Sequence, residues 1–371
     1  MNKALLSILC VFGFCFVLTA QTVIENPDKP SSKNAGRVVE LVELMRIDDV
    51  GGDFYLRYPT NPKVSPDGSF FVQDHEQLLQ FDPNGAFVRN YFKKGQGPGE
   101  MQRVADYFFV KDALIVHDGR LQKILRFDFD GNLIKEFKIH ELPMFARLYL
   151  FQNGMYYFFG HRIPSTEGKL KVIEVPYDLI AASEEGEKIE HMISFPVESF
   201  AISAGGARTM GSIAELVTSP FKGNLAVCHT QDYLLKILDL ETGKIIRSFR
   251  RKYKRVKVPK GRQVGGSIGV GGKTYTAPRE YLNDISRLFQ CEDLLWVITS
   301  TVKKDKGVVV DVFDFEGRYV DSFHLKIPGE SDPIAIGYRP MTVSNGFLFK
   351  TVRNEDETYS IKKFKIEDRG Y

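Results

Sequence analysis

Phe81-Asp82-Pro83-Asn84-Gly85 is the first copy of a phrase that recurs along this chain of 371 residues. In each copy an apolar stretch ends on an aspartate, a polar turn with glycine follows, and a second alternating stretch begins. The other copies are Phe127-Asp128-Phe129-Asp130-Gly131, Leu238-Asp239-Leu240-Glu241-Thr242-Gly243 and Phe313-Asp314-Phe315-Glu316-Gly317. A glycine-containing polar turn between alternating apolar stretches is a strong local signal for a β-hairpin. Hairpins repeated at this spacing predict an all-β fold, a β-propeller.

The strands predicted around these turns form six blades. Their ranges are 61–92, 104–139, 145–195, 215–250, 284–325 and 341–366. The sixth blade lacks its outermost strand, whereas residues 37–44 belong to no blade of their own. We therefore expect residues 37–44 to pair with residues 359–366, because closing the ring removes exposed strand edges.

The repeats resemble NHL-type repeats. They share strands that end in Val-x-Asp or Phe-Asp before an x-Gly turn, and the phrase Lys94-Gly95-Gln96-Gly97-Pro98-Gly99-Glu100 after blade one is typical of that group. Over residues 37–368 the chain is similar to secreted six-bladed β-propeller proteins of Gram-negative envelopes. The resemblance implies a six-bladed β-propeller fold and a location in the cell envelope or outside the cell. It implies no catalytic residue, because that group has no general reaction.

The N-terminus predicts export to the periplasm or the outside of the cell. Lys3 precedes an almost wholly apolar stretch that is shorter than the roughly 20 residues of a membrane-spanning helix. Ala20 closes a signal-peptide cleavage site. We expect a signal peptide over residues 1–20, a flexible leader over 21–36 and the propeller over 37–371, with no transmembrane segment.

Two cysteines, Cys228 and Cys291, remain after this cleavage. Two cysteines do not make a disulfide framework, so buried thiols and a single disulfide both stay open. The net charge of +3 leaves the molecule without a strong overall field.

The long segments of the sequence are predicted to lie on one face of the ring. Turns within the blades are tight, whereas the segments that join consecutive blades are long: 93–103, 196–214, 251–283 and 326–340. We call the face that carries them the long-loop face. Insertions on one face of a repeat array are typical of a binding surface. A simple cover over the channel mouth is the alternative.

Polar residues at the ends of the second strands are candidates for ligand binding on this face. They are Asp74, His117, Asp118, Arg120, His161, Arg162, His229, Asp232 and Arg353. Loop capping by the aspartates is the alternative. The sequence has no spacing typical of a metal site, and it predicts no metal, no cofactor and no catalytic residue.

Residues 250–273 are the most basic segment of the chain, with no acidic residue between Glu241 and Glu280. Such a segment attracts an anionic polymer, and a solvated connection is the alternative. The candidate residues are Arg250, Arg251, Lys252, Lys254 and Arg255. We expect no nucleic-acid partner, since an exported protein rarely meets its own nucleic acid.

The preferred function is a non-catalytic binding or scaffold protein of the envelope. Its long-loop face would be presented to a glycan, peptide or protein partner. The alternative is a metal-assisted enzyme of the lactonase or lyase type that acts at the channel mouth. Three or more of the candidate residues around a metal would favour the enzyme, whereas a polar funnel with aromatic side chains would favour binding.

Overall fold

The computed structural model describes residues 22–49, 51–143, 146–204, 207–262, 264–270, 272–330 and 332–367. The predicted signal peptide lies outside the described residues. Six blades of four antiparallel strands surround a channel, so the fold is the predicted six-bladed β-propeller. Within each blade the strands are lettered a to d from the channel outward.

The strands of the blades have the following bounds. In the order a to d they are Thr60–Val64, Phe70–Asp74, Gln77–Phe81 and Phe87–Asn90 in blade one; Val104–Val110, Ala113–Asp118, Lys123–Phe127 and Leu133–Lys138 in blade two; Arg147–Gln152, Met155–His161, Lys171–Ser183 and Ile189–Ala204 in blade three; Leu216–Phe221, Asn224–His229, Leu235–Leu238 and Ile245–Arg251 in blade four; Ile285–Cys291, Leu294–Lys303, Gly307–Phe313 and Tyr319–Lys326 in blade five; and Met341–Ser344, Phe347–Arg353, Tyr359–Glu367 and the N-terminal Val38–Asp48 in blade six. The further elements are the strands Val23–Asn26, Ala207–Ser212, Ser267–Val270 and Lys273–Thr276 and the helix Pro333–Tyr338.

The recurring phrase forms an aspartate-capped turn between the c and d strands. The Asp82 carboxylate accepts the backbone N–H groups of Asn84 and Ala86, both at 2.8 Å. Gly85 has a φ of 91°, which a residue with a side chain rarely adopts. Asp128, Asp239 and Asp314 accept backbone N–H groups of their own turns in the same way. Both the aspartate and the glycine of the phrase are therefore needed by the turn itself.

The hydrophobic core lies between neighbouring blades. Phe71 and Leu78 of blade one, for example, pack with Leu114 and Leu125 of blade two, and all four side chains are buried. Trp296, the single tryptophan, is fully buried in the corresponding cluster around blades five and six. Each blade is therefore stabilised mainly by apolar contact with the next one, because one sheet alone cannot bury its faces.

The predicted N-terminal closure is confirmed. Val38–Asp48 pairs antiparallel with Tyr359–Glu367 and supplies the missing d strand of blade six. Its first residues also pair in parallel with Tyr319–Lys326 of blade five. This single strand therefore joins the outer edges of two blades and removes both edges from solvent.

Part of the segment 21–36, which the sequence analysis predicted to be a flexible leader, pairs with a blade in the structure. Val23–Asn26 pairs in parallel with Ile245–Arg251, the d strand of blade four. The Asn26 amide donates to the Gly317 carbonyl at 2.8 Å and accepts the Tyr319 N–H at 2.8 Å. The polar composition of this segment did not reveal the strand, because backbone pairing does not require apolar and polar side chains to alternate. Residues 23–48 thus form a belt along the outer edges of blades four, five and six.

Residues 196–214 differ from the predicted loop. The c and d strands of blade three extend beyond the sheet as a long hairpin, and Ala207–Ser212 adds one more strand to it. The hairpin of Ser267–Val270 and Lys273–Thr276 packs against this extension. We call residues 171–176, 196–212 and 267–276 the β-arm. It projects on the long-loop face, since the c strand of blade three begins there.

Glycines allow the two parts of the β-arm to meet. A Cβ on Gly211 would lie 2.7 Å from the Ser267 carbonyl oxygen, and one on Gly266 would lie 2.1 Å from that of Ser212. These distances are too short for any side chain. Glycine at positions 211 and 266 therefore permits the close approach of the Ser267 hairpin to the strand Ala207–Ser212.

A buried ion pair joins blades four and five. The Arg251 guanidinium lies 2.5 Å from the Asp311 carboxylate, which is fully buried. Asp311 also accepts the hydroxyl groups of Tyr233 at 2.5 Å and Tyr319 at 2.7 Å. Burial raises the pKa of both tyrosines, with a further rise from the nearby carboxylate. All four groups depend on one another, because an unpaired buried charge is costly.

A buried histidine lies between blades two and three. His117 is 1% exposed, and its ring lies edge-on to Phe158 at 5.3 Å. Neither ring nitrogen has a hydrogen-bond partner among the described residues. Burial lowers the pKa of His117 to about 4, although the carboxylates of Asp106 and Asp118 oppose the shift. The imidazole is therefore neutral in the folded protein at physiological pH.

We predict that Asp311→Asn destabilises the protein by about 3 kcal/mol, because it leaves the Arg251 guanidinium buried without a counter-charge. Urea denaturation at neutral pH measures this change. The control is Glu357→Ala, which removes the exposed ion pair between Arg353 and Glu357 and is expected to cost less than about 1 kcal/mol. Equal stability losses in the two variants would contradict the structural role of the Asp311 cluster.

We predict that Val39→Asp in the belt destabilises the protein by more than about 3 kcal/mol, because Val39 is fully buried in the cluster that holds Trp296. Val42→Asp on the same strand is the control, since Val42 is 41% exposed and the substitution should cost less than about 1 kcal/mol. Trp296 fluorescence during thermal unfolding compares the two. A Val39→Asp variant that melts with wild type would disprove closure by this strand.

We predict that His117 makes the fold acid-sensitive. Its pKa is lowered in the folded state, so the unfolded chain binds the proton more readily below its ordinary pKa of about 6.5. The neutral His117 therefore contributes its full share to the free energy of unfolding above about pH 6.5. This contribution is lost as the pH falls towards 4, and the loss reaches about 2–3 kcal/mol at pH 4.5. His117→Gln should remove this part of the pH dependence, whereas His140→Gln at an exposed position should keep it. Parallel pH profiles of wild type and His117→Gln in urea denaturation would refute the assignment.

Candidate binding site on the long-loop face

A cavity of about 1320 Å³ opens on the long-loop face, and residues of blades one, two, three and four line it. The ends of the b strands and the connections between blades form most of its wall. The β-arm strand Ala207–Ser212 contributes Thr209, Met210 and Ser212. Blade four closes the wall with Leu216 and Thr218. The cavity therefore lies on the face that the loop lengths indicated, with the β-arm as an additional wall.

Three arginines line this cavity: Arg103, Arg120 and Arg147. All three side chains are exposed, and within the described ranges their guanidinium groups have no hydrogen-bond or ion-pair partner. Glu76 is the acidic residue of the wall, and its carboxylate is held by Lys94 at 2.5 Å. The cavity is consequently positive, and its cations are free to meet a ligand.

Aromatic side chains lie beside the arginines. Tyr58, Tyr149 and Tyr177 line the cavity, and Tyr58 is 61% exposed. The Tyr177 ring stacks on His161 with 4.7 Å between ring centres, and its hydroxyl lies 3.2 Å from the Ser212 hydroxyl. That contact joins blade three to the β-arm. Amide and hydroxyl side chains complete the wall: Thr60, Gln73, Gln102, Gln122, Thr209, Ser212 and Thr218.

Two of the predicted ligand-binding residues, Arg120 and His161, reach this cavity. Burial lowers the pKa of His161, with Asp178 opposing the shift. The imidazole is thus biased towards its neutral form, and the positive charge of the wall comes from the arginines. The role of both residues in binding stays a prediction.

Two of the three predicted aspartates, Asp74 and Asp118, lie beneath the cavity and cap the loops that form it. Asp118 is fully buried and accepts the N–H groups of Gln102 at 2.5 Å and Arg120 at 2.9 Å. Asp74 accepts the N–H groups of Arg57 at 2.6 Å and Tyr58 at 3.0 Å. Loop capping, the alternative given for these aspartates, describes their contacts. It also connects them to the site, because three of the four capped residues line the cavity.

The other candidates lie away from this cavity. His229 and Asp232 line a second pocket of about 20 Å³ beside blade four, which is room for about one water molecule. Arg353 pairs with Glu357 at 2.9 Å. Arg162 is exposed outside the cavity wall, and His117 is buried as described above. The candidates therefore do not form one ring around the channel.

The sequence analysis missed Arg103, Arg147 and the polar residues of the β-arm. Arg103 ends the long connection after blade one, and Arg147 begins the a strand of blade three. A signal was available for both, because the first residues of inner strands must lie at the channel mouth on the long-loop face. No such rule finds Thr209 and Ser212, since the β-arm has no counterpart in the other blades.

Part of the charge of the basic segment 250–273 is neutralised by ion pairs. Acidic residues from elsewhere in the fold reach it. The pairs are Arg250 with Glu25 at 2.7 Å, Arg251 with Asp311 at 2.5 Å, Arg255 with Asp284 at 2.9 Å and Arg262 with Asp332 at 2.9 Å. Lys252 and Lys254 are exposed without an ion-pair partner in the described part of the chain. Anion binding by this segment stays a prediction for these two lysines.

Chemical groups suited to metal or thiol chemistry are not assembled in the described structure. Among the described residues, no three His, Cys, Asp or Glu side chains come together as a metal site. Cys228 and Cys291 are both buried and are not joined in a disulfide, and burial raises the pKa of Cys228. In the same residues, no helix has the length and apolar character needed to cross a membrane.

Known proteins with the same fold support this architecture. Residues 53–209 match the DUF5128 family, described as a 6-bladed beta-propeller, and no curated protein matches the chain. A protein of Bacteroides fragilis NCTC 9343 inferred to be exported is 12% identical, with a TM-score of 0.53 over 93% of this chain and 100% of that chain. A duf4221 family member from Bacteroides vulgatus ATCC 8482 is 11% identical, with a TM-score of 0.54 over 89% and 99%. Such identities establish the fold alone, and the resemblance to six-bladed β-propeller proteins predicted from the repeats is confirmed.

Proposed function

We propose that this protein is a non-catalytic binding protein of the cell envelope. Its long-loop face receives a glycan, peptide or protein partner, part of which enters the cavity lined by blades one to four. Export is supported by the apolar N-terminal stretch that follows Lys3. The similarity to a propeller inferred to be exported agrees with this location.

The observation that carries the proposal is the cavity itself. Its volume of about 1320 Å³ exceeds that of typical small-molecule sites. Its wall combines aromatic rings, amide and hydroxyl groups and unpaired arginines, which are the groups expected of a polar binding funnel. Buried Asp74 and Asp118 hold the loops of this wall in place. A wall fixed in advance lowers the entropy cost of binding.

The metal-assisted lactonase or lyase is less well supported by the same residues. Such an enzyme needs several carboxylate or imidazole ligands that point into the channel. Instead, Asp74 and Asp118 accept backbone N–H groups, and the His161 ring stacks on Tyr177. We derive no reaction step from this set.

We predict that Thr209→Trp weakens partner binding, because an indole on the β-arm wall would project into the cavity and narrow it. An array of oligosaccharides and peptides, probed with the mature wild-type chain and the variant, measures this. Val172→Trp is the matched control, since Val172 is an exposed β-arm residue that does not line the cavity.

Wild type should bind at least one class of molecule on the array, and Val172→Trp should bind it equally well. Thr209 is exposed, so both variants should melt within a few degrees of wild type, about 2–4 °C. A Thr209→Trp variant that binds as tightly as wild type would place the site outside the cavity. A wild-type chain that binds nothing on the array would contradict the proposed function.

A further inference from the structure

We infer that the ligand of the cavity is an acidic oligosaccharide, recognised through its carboxylate or sulfate groups by Arg103, Arg120 and Arg147. This inference rests on the proposed function and names the class of molecule that the site takes. Carboxylate and sulfate share the chemistry that a guanidinium recognises, which is a planar or tripodal array of oxygen atoms that accepts two N–H bonds.

The contrast with the arginines that join the blades supports a ligand role for these three arginines. Elsewhere, Arg251 pairs with Asp311 at 2.5 Å, Arg255 with Asp284 at 2.9 Å and Arg37 with Asp321 at 2.9 Å. The three cavity arginines have no such partner among the described residues. Three like charges around one cavity repel one another, and an anionic ligand removes that repulsion.

The backbone holds two of these arginines side by side. The Gly119 N–H donates to the Arg103 carbonyl at 3.1 Å, which joins the connection before blade two to the turn that carries Arg120. A Cβ on Gly119 would lie 2.7 Å from that of Ala105, so glycine permits this approach. Asp118 accepts the Arg120 N–H from the other side of the turn. The side chains of Arg103 and Arg120 therefore extend from two neighbouring backbone positions that are fixed by hydrogen bonds.

The remaining wall suits a sugar better than a peptide. The Gln102 amide offers both donors and an acceptor to ring hydroxyl groups. The amide nitrogens of Gln73 and Gln122 already donate to the Val104 and Leu142 carbonyls, so these two residues contribute mainly their side-chain oxygens as acceptors. The exposed Tyr58 ring offers an apolar face for the C–H side of a pyranose. A peptide would bind best by adding a strand to a free sheet edge. The β-arm strand Ala207–Ser212 offers little room for one, because the Ser267 hairpin lies against it at Gly211.

The test is isothermal titration calorimetry of the mature chain with four probes of similar length. An oligogalacturonate carries carboxylates alone, and a chondroitin sulfate oligosaccharide carries sulfates as well. A xylo-oligosaccharide is the neutral probe, and an oligoglutamate is the acidic peptide. We expect at least one acidic oligosaccharide to bind about 30-fold or more tightly than the xylo-oligosaccharide, since each charged contact contributes about 1.5 kcal/mol or more.

The variant Arg103→Gln/Arg120→Gln/Arg147→Gln should weaken acidic oligosaccharide binding by about 30-fold or more without a change in melting temperature. Arg162→Gln is the matched control, because Arg162 is an exposed arginine next to His161 that lies outside the cavity wall. It should bind like wild type. Lys252→Ser/Lys254→Ser should do the same if the cavity, rather than the basic segment, is the site.

The inference is overturned if the triple variant binds like wild type, if only Lys252→Ser/Lys254→Ser loses binding, or if the neutral or peptide probe binds as tightly as the acidic oligosaccharides. In the last case, weakening of that binding in Thr209→Trp would still uphold the cavity as the binding site. Absence of binding for all four probes contradicts the inference, and the array with Thr209→Trp then decides the proposed function separately.

Discussion

The structure depends on the backbone pairing of Val38–Asp48 with Tyr359–Glu367. A propeller is stable only if its ring is closed, because each blade buries its faces against the next one. Here the closing strand comes from the opposite end of the chain and also pairs with blade five. The preceding Val23–Asn26 continues along blade four. Three blades therefore share one belt, and the ring is held at its outer edge as well as through its core.

The two faces of the ring use aspartate in different ways. On the face of the tight turns, Asp82 and its counterparts cap hairpins whose glycines adopt positive φ. On the long-loop face, Asp74 and Asp118 are buried and cap loops that carry Tyr58 and Arg120. In both cases a carboxylate satisfies backbone N–H groups that would otherwise lack partners. On the second face this capping shapes the wall of a cavity.

Arginine likewise has two roles, and its surroundings decide between them. The Arg251 guanidinium packs against the rings of Tyr233, Tyr253 and Tyr319. It also pairs with buried Asp311, and this ion pair joins two blades. The cavity arginines have no such partner among the described residues. Partners from distant parts of the chain neutralise part of the basic stretch 250–273, and the sequence alone did not reveal them. The field depends on the tertiary arrangement.

The sequence by itself determined the blades, their hairpin turns and the closing strand, because these follow from local alternation and from turn chemistry within a few residues. It also identified the face of the long segments, and Arg120 and His161 within it. The β-arm, the path of residues 23–36 and the partly neutralised basic segment were decided only by the tertiary structure. Each of these rests on contacts between residues far apart in the chain, such as Glu25 with Arg250 and Ser212 with Tyr177. No local sequence pattern predicts such contacts. Strand edges and opposite charges pair whenever the fold brings them together, whatever residues surround them in the sequence.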